Sequence, residues 1–178
     1  MNAVMSADPV HSKTLPDLVS KLLATRQSSL VLFNKLVALK PFPLAEPAHY
    51  LLRRFRQALV DYLALGPFEL YAALEEQPAD SPYRPARELA RRLYARIART
   101  TQAALDFHDR YDAGLSGSAL AELDEELSRL GEQLAERIAL EDRIVAAIRN
   151  CGSSLAATRS IAAQPFRPQP DFAGQAPL

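Results

Sequence analysis

Few side chains in this chain could do chemistry. Glu46 and His49 stand at the spacing that lets two residues of one helical face share a metal; His11 and His108 are the other imidazoles, and Cys151 is the single thiol. A carboxylate-bridged di-metal centre in a helical bundle needs two Glu-x-x-His pairs and two further glutamates, all pointing inward. This chain has one such pair with Pro47 inside it, and neither His11 nor His108 has a partner at ligand spacing. Ordinary surface or boundary histidines are therefore the expected reading. Cys151 is expected at a helix C-terminus, where the dipole disfavours a thiolate. No Gly-x-Ser-x-Gly turn and no phosphate-cradling glycine loop is present. The residues point away from an enzyme and call for no cofactor or metal, with a degenerate metal-binding bundle kept as a rival.

Binding chemistry is more legible, in the run from Phe55 to Tyr71. Phe55, Leu59, Tyr62 and Leu63 share one helical face, with Arg56 and Asp61 off it. Gly66 suits the left-handed end of a helix and Pro67 the first turn of the next. The expectation is a rigid corner offering Asp61, Leu65, Phe68, Glu69 and Tyr71 to a protein partner, because apolar anchors flanked by charge are what interfaces use. A lone acid is most often just solvated, so Asp61 draws its weight from these neighbours.

Two further charges fall on apolar stripes. Arg26 and Glu141 would be costly to bury alone, and opposed helices would bring them to one level. A structural ion pair is expected between Arg26 and either Glu141 or Asp142, against outward snorkelling of Arg26. Arg84, Arg87, Arg91, Arg92, Arg96 and Arg99 form a basic stripe with Glu88 as the one acid, answered by Glu122, Asp124, Glu125, Glu126, Glu132 and Glu136 further on. With Tyr94 the single ring among these arginines and no run of aromatics to stack bases, two solvated faces in partial mutual neutralisation are expected, and no direct nucleic-acid contact.

The elements that must position these residues are helices. The 178 residues carry no net charge, no Trp and one Cys, and are rich in Ala, Leu, Arg and Glu. One cysteine cannot form an internal disulfide, no apolar run approaches the roughly 20 residues of a membrane span, and the N-terminus lacks a signal pattern; a cytoplasmic protein with no membrane contact is expected. Thr14 reads as an N-cap, and the first stripe, through Val19, Leu22, Leu30, Phe33 and Val37, should stop near Lys40 before Pro41. Pro47 opens a second helix with Arg53, Arg54 and Arg56 mostly outside. A short third helix ends before Pro78, and residues 78–85 read as a loop. A fourth helix begins near Pro85 and carries Leu93, Ile97, Ala104 and Phe107 inward. The fifth, after a turn at 114–118, carries Leu120, Leu123, Leu127, Leu130, Leu134, Ile138, Val145 and Ile148, with Gly152 as its cap. The expected fold class is all-α, an antiparallel four-helix bundle with a short extra helix after the second long one. Residues 1–13 are expected as a flexible N-terminus, 14–151 as the helical domain and 152–178 as a disordered Pro-rich tail.

Three collinear blocks carry a resemblance. Residues 26–41 (RQSSLVLFNKLVALKP), 58–74 (ALVDYLALGPFELYAAL) and 127–144 (LSRLGEQLAERIALEDRI) resemble the Rsd/AlgQ family of bacterial anti-sigma regulators, in the family's order from about Leu15 to Ile148. The resemblance implies an all-helical fold, no cofactor, and binding to region 4 of the primary sigma factor, keeping it from core RNA polymerase and the −35 element. Region 4 presents a basic helix-turn-helix surface, and the family's LVDYL-x-x-G-x-F block falls on Leu59 to Phe68. Asp61 is then the first choice to pair a sigma arginine, followed by Phe68, Glu69 and Tyr71. The proline-rich loops at 41–47 and 78–85 and the long tail depart from the family pattern. A helical adaptor for another cytoplasmic regulator is the rival from the binding class.

Overall fold

Thr14 opens the first helix through a capping box. Its hydroxyl accepts the Asp17 backbone N–H at 3.3 Å, while the Asp17 carboxylate accepts the Thr14 N–H at 3.2 Å and its hydroxyl at 2.6 Å. Two amides that a helix start leaves unpaired are thereby satisfied, and the Thr14 hydrogen bonds hold the Asp17 carboxyl below the usual carboxylate range. In the computed structural model, which describes residues 14–42, 46–113 and 117–162, this helix, α1, spans Leu15–Val37. There follow α2 (Glu46–Leu65), a π-helical turn (Gly66–Leu70), α3 (Tyr71–Glu75), α4 (Arg84–Arg110) and α5 (Gly117–Ala162). Four of these are long, and there is no strand among the described residues. The side chains of residues 46, 117–119 and 155–162 lie outside the description, as do the whole of residues 1–13, with His11, and of 163–178.

Two expected breaks are not breaks. Gly66 does not adopt the left-handed conformation, and Leu65 and Tyr71 on either side are both right-handed helical. The chain stays helical from Glu46 to Glu75, and the turn widens so that the Tyr71 N–H bonds the Gly66 carbonyl. Pro67 explains the widening: it has no N–H, and its ring crowds the carbonyl four residues back. One extra residue in the turn makes room without ending the helix. Gly152 likewise fails to cap α5, which runs on to Ala162 and is about 69 Å long at 1.5 Å per residue. A boundary at residue 152 is therefore not a helix end, and Cys151 lies within the helix instead of at its C-terminus. Gly117 and Ser118, expected in a turn, already belong to α5.

The helices meet through one apolar core. Phe55 of α2 sits between Phe33 of α1 and Phe107 of α4, with ring centroids 5.5 and 6.0 Å away. Gly131 lets the Phe33 ring approach α5, since a Cβ there would stand 3.3 Å from it. Residue pairs show which ends face each other. Arg26 faces Glu141 and Lys40 pairs with Asp124, so the middle of α1 faces the middle of α5 and the residues after α1 face early α5. Arg96 pairs with Glu136 and Arg110 with Glu122 and Glu126, which orders α4 against α5 in the same opposed sense.

Two sequence expectations about stripes need correction. Arg56 is buried, with Nε donating to the His108 carbonyl at 2.9 Å and Nη2 to Asp112 at 2.7 Å. The α5 stripe passes through Arg137, which is fully buried, while Ile138 is half-buried. Within the basic stripe the expected mutual neutralisation is partial: Arg96 pairs with Glu136 of α5, whereas Arg84 pairs with Glu88 of its own helix, Arg91 with Glu75 of α3, and Arg87 donates to the Gln77 carbonyl.

Replacing Phe55 by Ala removes the ring that touches both Phe33 and Phe107. Urea unfolding followed by helical circular dichroism should register a loss of about 3–5 kcal/mol, as for other buried aromatic truncations.

Candidate partner-binding site

The five corner residues divide between surface and core. Asp61 is exposed on α2 and has no hydrogen-bond or ion-pair partner among the described residues. It borders a shallow depression with Arg53, Arg56, Gln57, Val60, His108 and Asp112. Seven residues further on, Phe68 is 80 % exposed at the middle of the π turn, the most exposed large apolar side chain described. Glu69 is half-buried and pairs with Lys21 of α1 at 2.5 Å. Leu65 and Tyr71 are each only 7 % exposed and belong to the core. They support the corner from within; the expectation that both project to a partner does not match their burial.

Tyr71 is packed so tightly that a Cβ on Gly66 would stand 3.1 Å from its ring. Glycine is needed here for close approach, not for backbone freedom. Burial first, and the nearby Glu141 charge second, push the Tyr71 phenol well above its ordinary value. The outer edge of Tyr71 joins Pro67, Ala72, Ala90, Arg91, Tyr94 and Glu75 around a groove of about 350 Å³ between the π turn, α3 and α4. Tyr94 is 52 % exposed on its wall. Asp61 and Tyr71 thus border two separate depressions along α4, one toward its C-terminal end and one toward its N-terminal end. Sequence reasoning missed Tyr94; its place on the exposed side of the α4 stripe, four residues after Ala90, was the available signal.

Behind the corner lies a buried polar cluster. Glu141 of α5 is 1 % exposed. Its Oε2 accepts the Tyr62 hydroxyl at 2.5 Å and Arg26 Nη2 at 3.2 Å, and its Oε1 lies 2.8 Å from Arg137 Nε. Arg26 Nη1 also donates to Asp142 at 2.6 Å. Burial works against the Arg26 cation, but Asp142 and the charge of Glu141 outweigh it and raise its pKa further. Arg137 packs over the Tyr62 ring, 5.2 Å from its centroid, and its Nη1 donates to Thr101 of α4 at 2.6 Å. Burial and the Glu141 carboxylate together drive the Tyr62 phenol far above its ordinary value.

Among the described residues no three His, Cys, Asp or Glu side chains gather as a metal site, and no helix is long and apolar enough to cross a membrane. The family model for the regulator of RNA polymerase sigma(70) subunit, Rsd/AlgQ, matches residues 10–149. The chain belongs to the Rsd/AlgQ family. It is similar to the regulator of sigma D of Yersinia enterocolitica serotype O:8, at 31 % identity over 135 residues, covering 72 % of this chain and 78 % of that protein. It is also similar to the regulator of sigma D of Enterobacter sp. strain 638, at 34 % identity over 136 residues with the same coverage. No solved structure matches. Membership in a family of sigma-subunit regulators makes this a regulatory binding protein and not an enzyme.

The raised phenols of the cluster should also make stability fall at alkaline pH. A phenol whose folded pKa is raised contributes stability in full below its unfolded value, near pH 10, and loses it as pH climbs toward the folded one. Tyr62 and Tyr71 both act in this direction. Tyr62→Phe should cost about 1.5–3 kcal/mol at neutral pH, the range for a hydrogen bond to a charged group, and urea midpoints measured above pH 10 should then fall less steeply than those of the parent.

Proposed function

We propose that this chain is an anti-sigma factor that binds region 4 of the primary sigma factor in the cytoplasm and keeps it from core RNA polymerase and the −35 element. It would act by stoichiometric masking, without cofactor and without touching nucleic acid. The observation that carries the reading is Phe68, a ring left in solvent two helical turns from the unpartnered Asp61 on a protein of the sigma-regulator family. A large ring pays a solvation penalty when exposed, and it becomes an anchor once a partner covers it. A free carboxylate two turns away on the same helical run suits the arginine-rich surface of a helix-turn-helix module. The opposed residue pairs between α1 and α5 and between α4 and α5 support an antiparallel four-helix bundle as the scaffold that presents this edge.

Pull-down with purified sigma region 4 tests the reading directly. The parent chain should retain region 4, and retention should weaken as salt is raised, since an acid-on-basic contact is screened. Phe68→Ala and Asp61→Ala should each lower affinity by about tenfold or more while leaving the melting temperature in place, because both side chains are exposed. Unchanged affinity in both variants would move the site elsewhere on the surface.

A further inference from the structure

Pro67 leaves a specific debt in the backbone. Lacking an N–H, it cannot serve the Leu63 carbonyl four residues earlier, which an α-helix would pair with it. Leu63 is buried, so water is a poor substitute for that donor. The partner comes from another helix: Arg137 Nη2 of α5 donates to the Leu63 carbonyl at 3.3 Å. The guanidinium is 0 % exposed and is locked on its other sides by Thr101, Glu141 and the face of Tyr62.

We propose that Arg137 is the positioning residue of the corner: its Nη2 stands in for the N–H that Pro67 lacks, and so holds the π turn in the register that leaves Phe68 in solvent. This rests on the reading of the corner as the sigma-binding edge, but its geometric part stands by itself. A planar fork is required, because one group must reach Thr101 and Leu63 at once while facing Glu141. Thr101 lies on α4, Leu63 on α2 and Glu141 on α5 itself, so the corner is tied to three helices through one side chain.

A suppressor experiment on the full chain tests this. In Arg137→Met, amide hydrogen exchange in peptides spanning 63–74 should accelerate by about tenfold or more relative to the parent, with much smaller changes in α1. Adding Pro67→Ala returns a backbone donor to the Leu63 carbonyl, and the double variant should recover most of that protection and most of the affinity for sigma region 4. If Arg137→Met does not fold, Arg137→Lys carries the same comparison, since a single ammonium keeps the charge beside Glu141 without spanning both acceptors. Acceleration spread evenly over all helices, or no recovery on adding Pro67→Ala, would make Arg137 an ordinary core residue and overturn the proposal. Recovery of protection at 63–74 with no variant, nor the parent, binding region 4 would uphold Arg137 in this role and sink the sigma reading.

Discussion

A carboxylate sealed inside protein must be compensated, and Glu141 is met by hydrogen bonds from α1 and α2 and by a cation of its own helix. Stripping the water from one such charge costs several kcal/mol unless its oxygens are filled. Here Tyr62 of α2, Arg26 of α1 and Arg137 of α5 surround it, and Arg137 reaches on to Thr101 of α4. A slip of any helix by one turn would leave at least one buried ion without its partner. The apolar core supplies most of the driving force, since hydrophobic packing tolerates many registers at modest cost. The polar cluster penalises all registers but one.

The corner inherits its shape from that cluster. Tyr62 and Leu63 are neighbours on α2: the hydroxyl of one is spent on Glu141, and the carbonyl of the other on Arg137. Immediately beyond them Pro67 forces the helix to widen, and Tyr71 closes back onto the bare backbone of Gly66. The result is a helix whose inner face is fixed by buried polar bonds and whose outer face carries an unprotected ring. A partner that covered Phe68, as proposed, would meet a preformed surface, which lowers the ordering cost of association.

Much of this was legible in the chain itself. Thr14 with Asp17, the prolines flanking the helices, and the Leu93, Ile97, Ala104 and Phe107 series declare their elements through local chemistry, because caps and periodicity are properties of neighbouring residues. Arg26 was visible as a charge on an apolar stripe, and its acids could be guessed from helix lengths alone. Arg137 was not, because Ile138 beside it offers a plausible stripe position and the pattern does not say which of two adjacent residues faces in. The Gly66–Pro67 pair misled for a related reason. Locally it signals a break, yet the surrounding apolar residues and a donor seventy-four positions away in sequence make continuation the better solution. Leu65 and Tyr71 were read as partner contacts from their nearness to the corner, whereas their size and apolarity are satisfied by the core.

The widened turn also changes what one helix can face. Each residue of an α-helix advances the side-chain direction by about 100°, so one surplus residue between Gly66 and Tyr71 swings everything after it around the axis by about that much. The segment before it is aimed at Glu141 and the Phe107 ring, the segment after it at Ala90 and Tyr94 of α4. A chain shortened by one residue at 66–70 would have nearly the same composition, yet would point Leu74 at water and Phe68 at a different neighbour. A single surplus residue thus works as a gear between two successive interfaces.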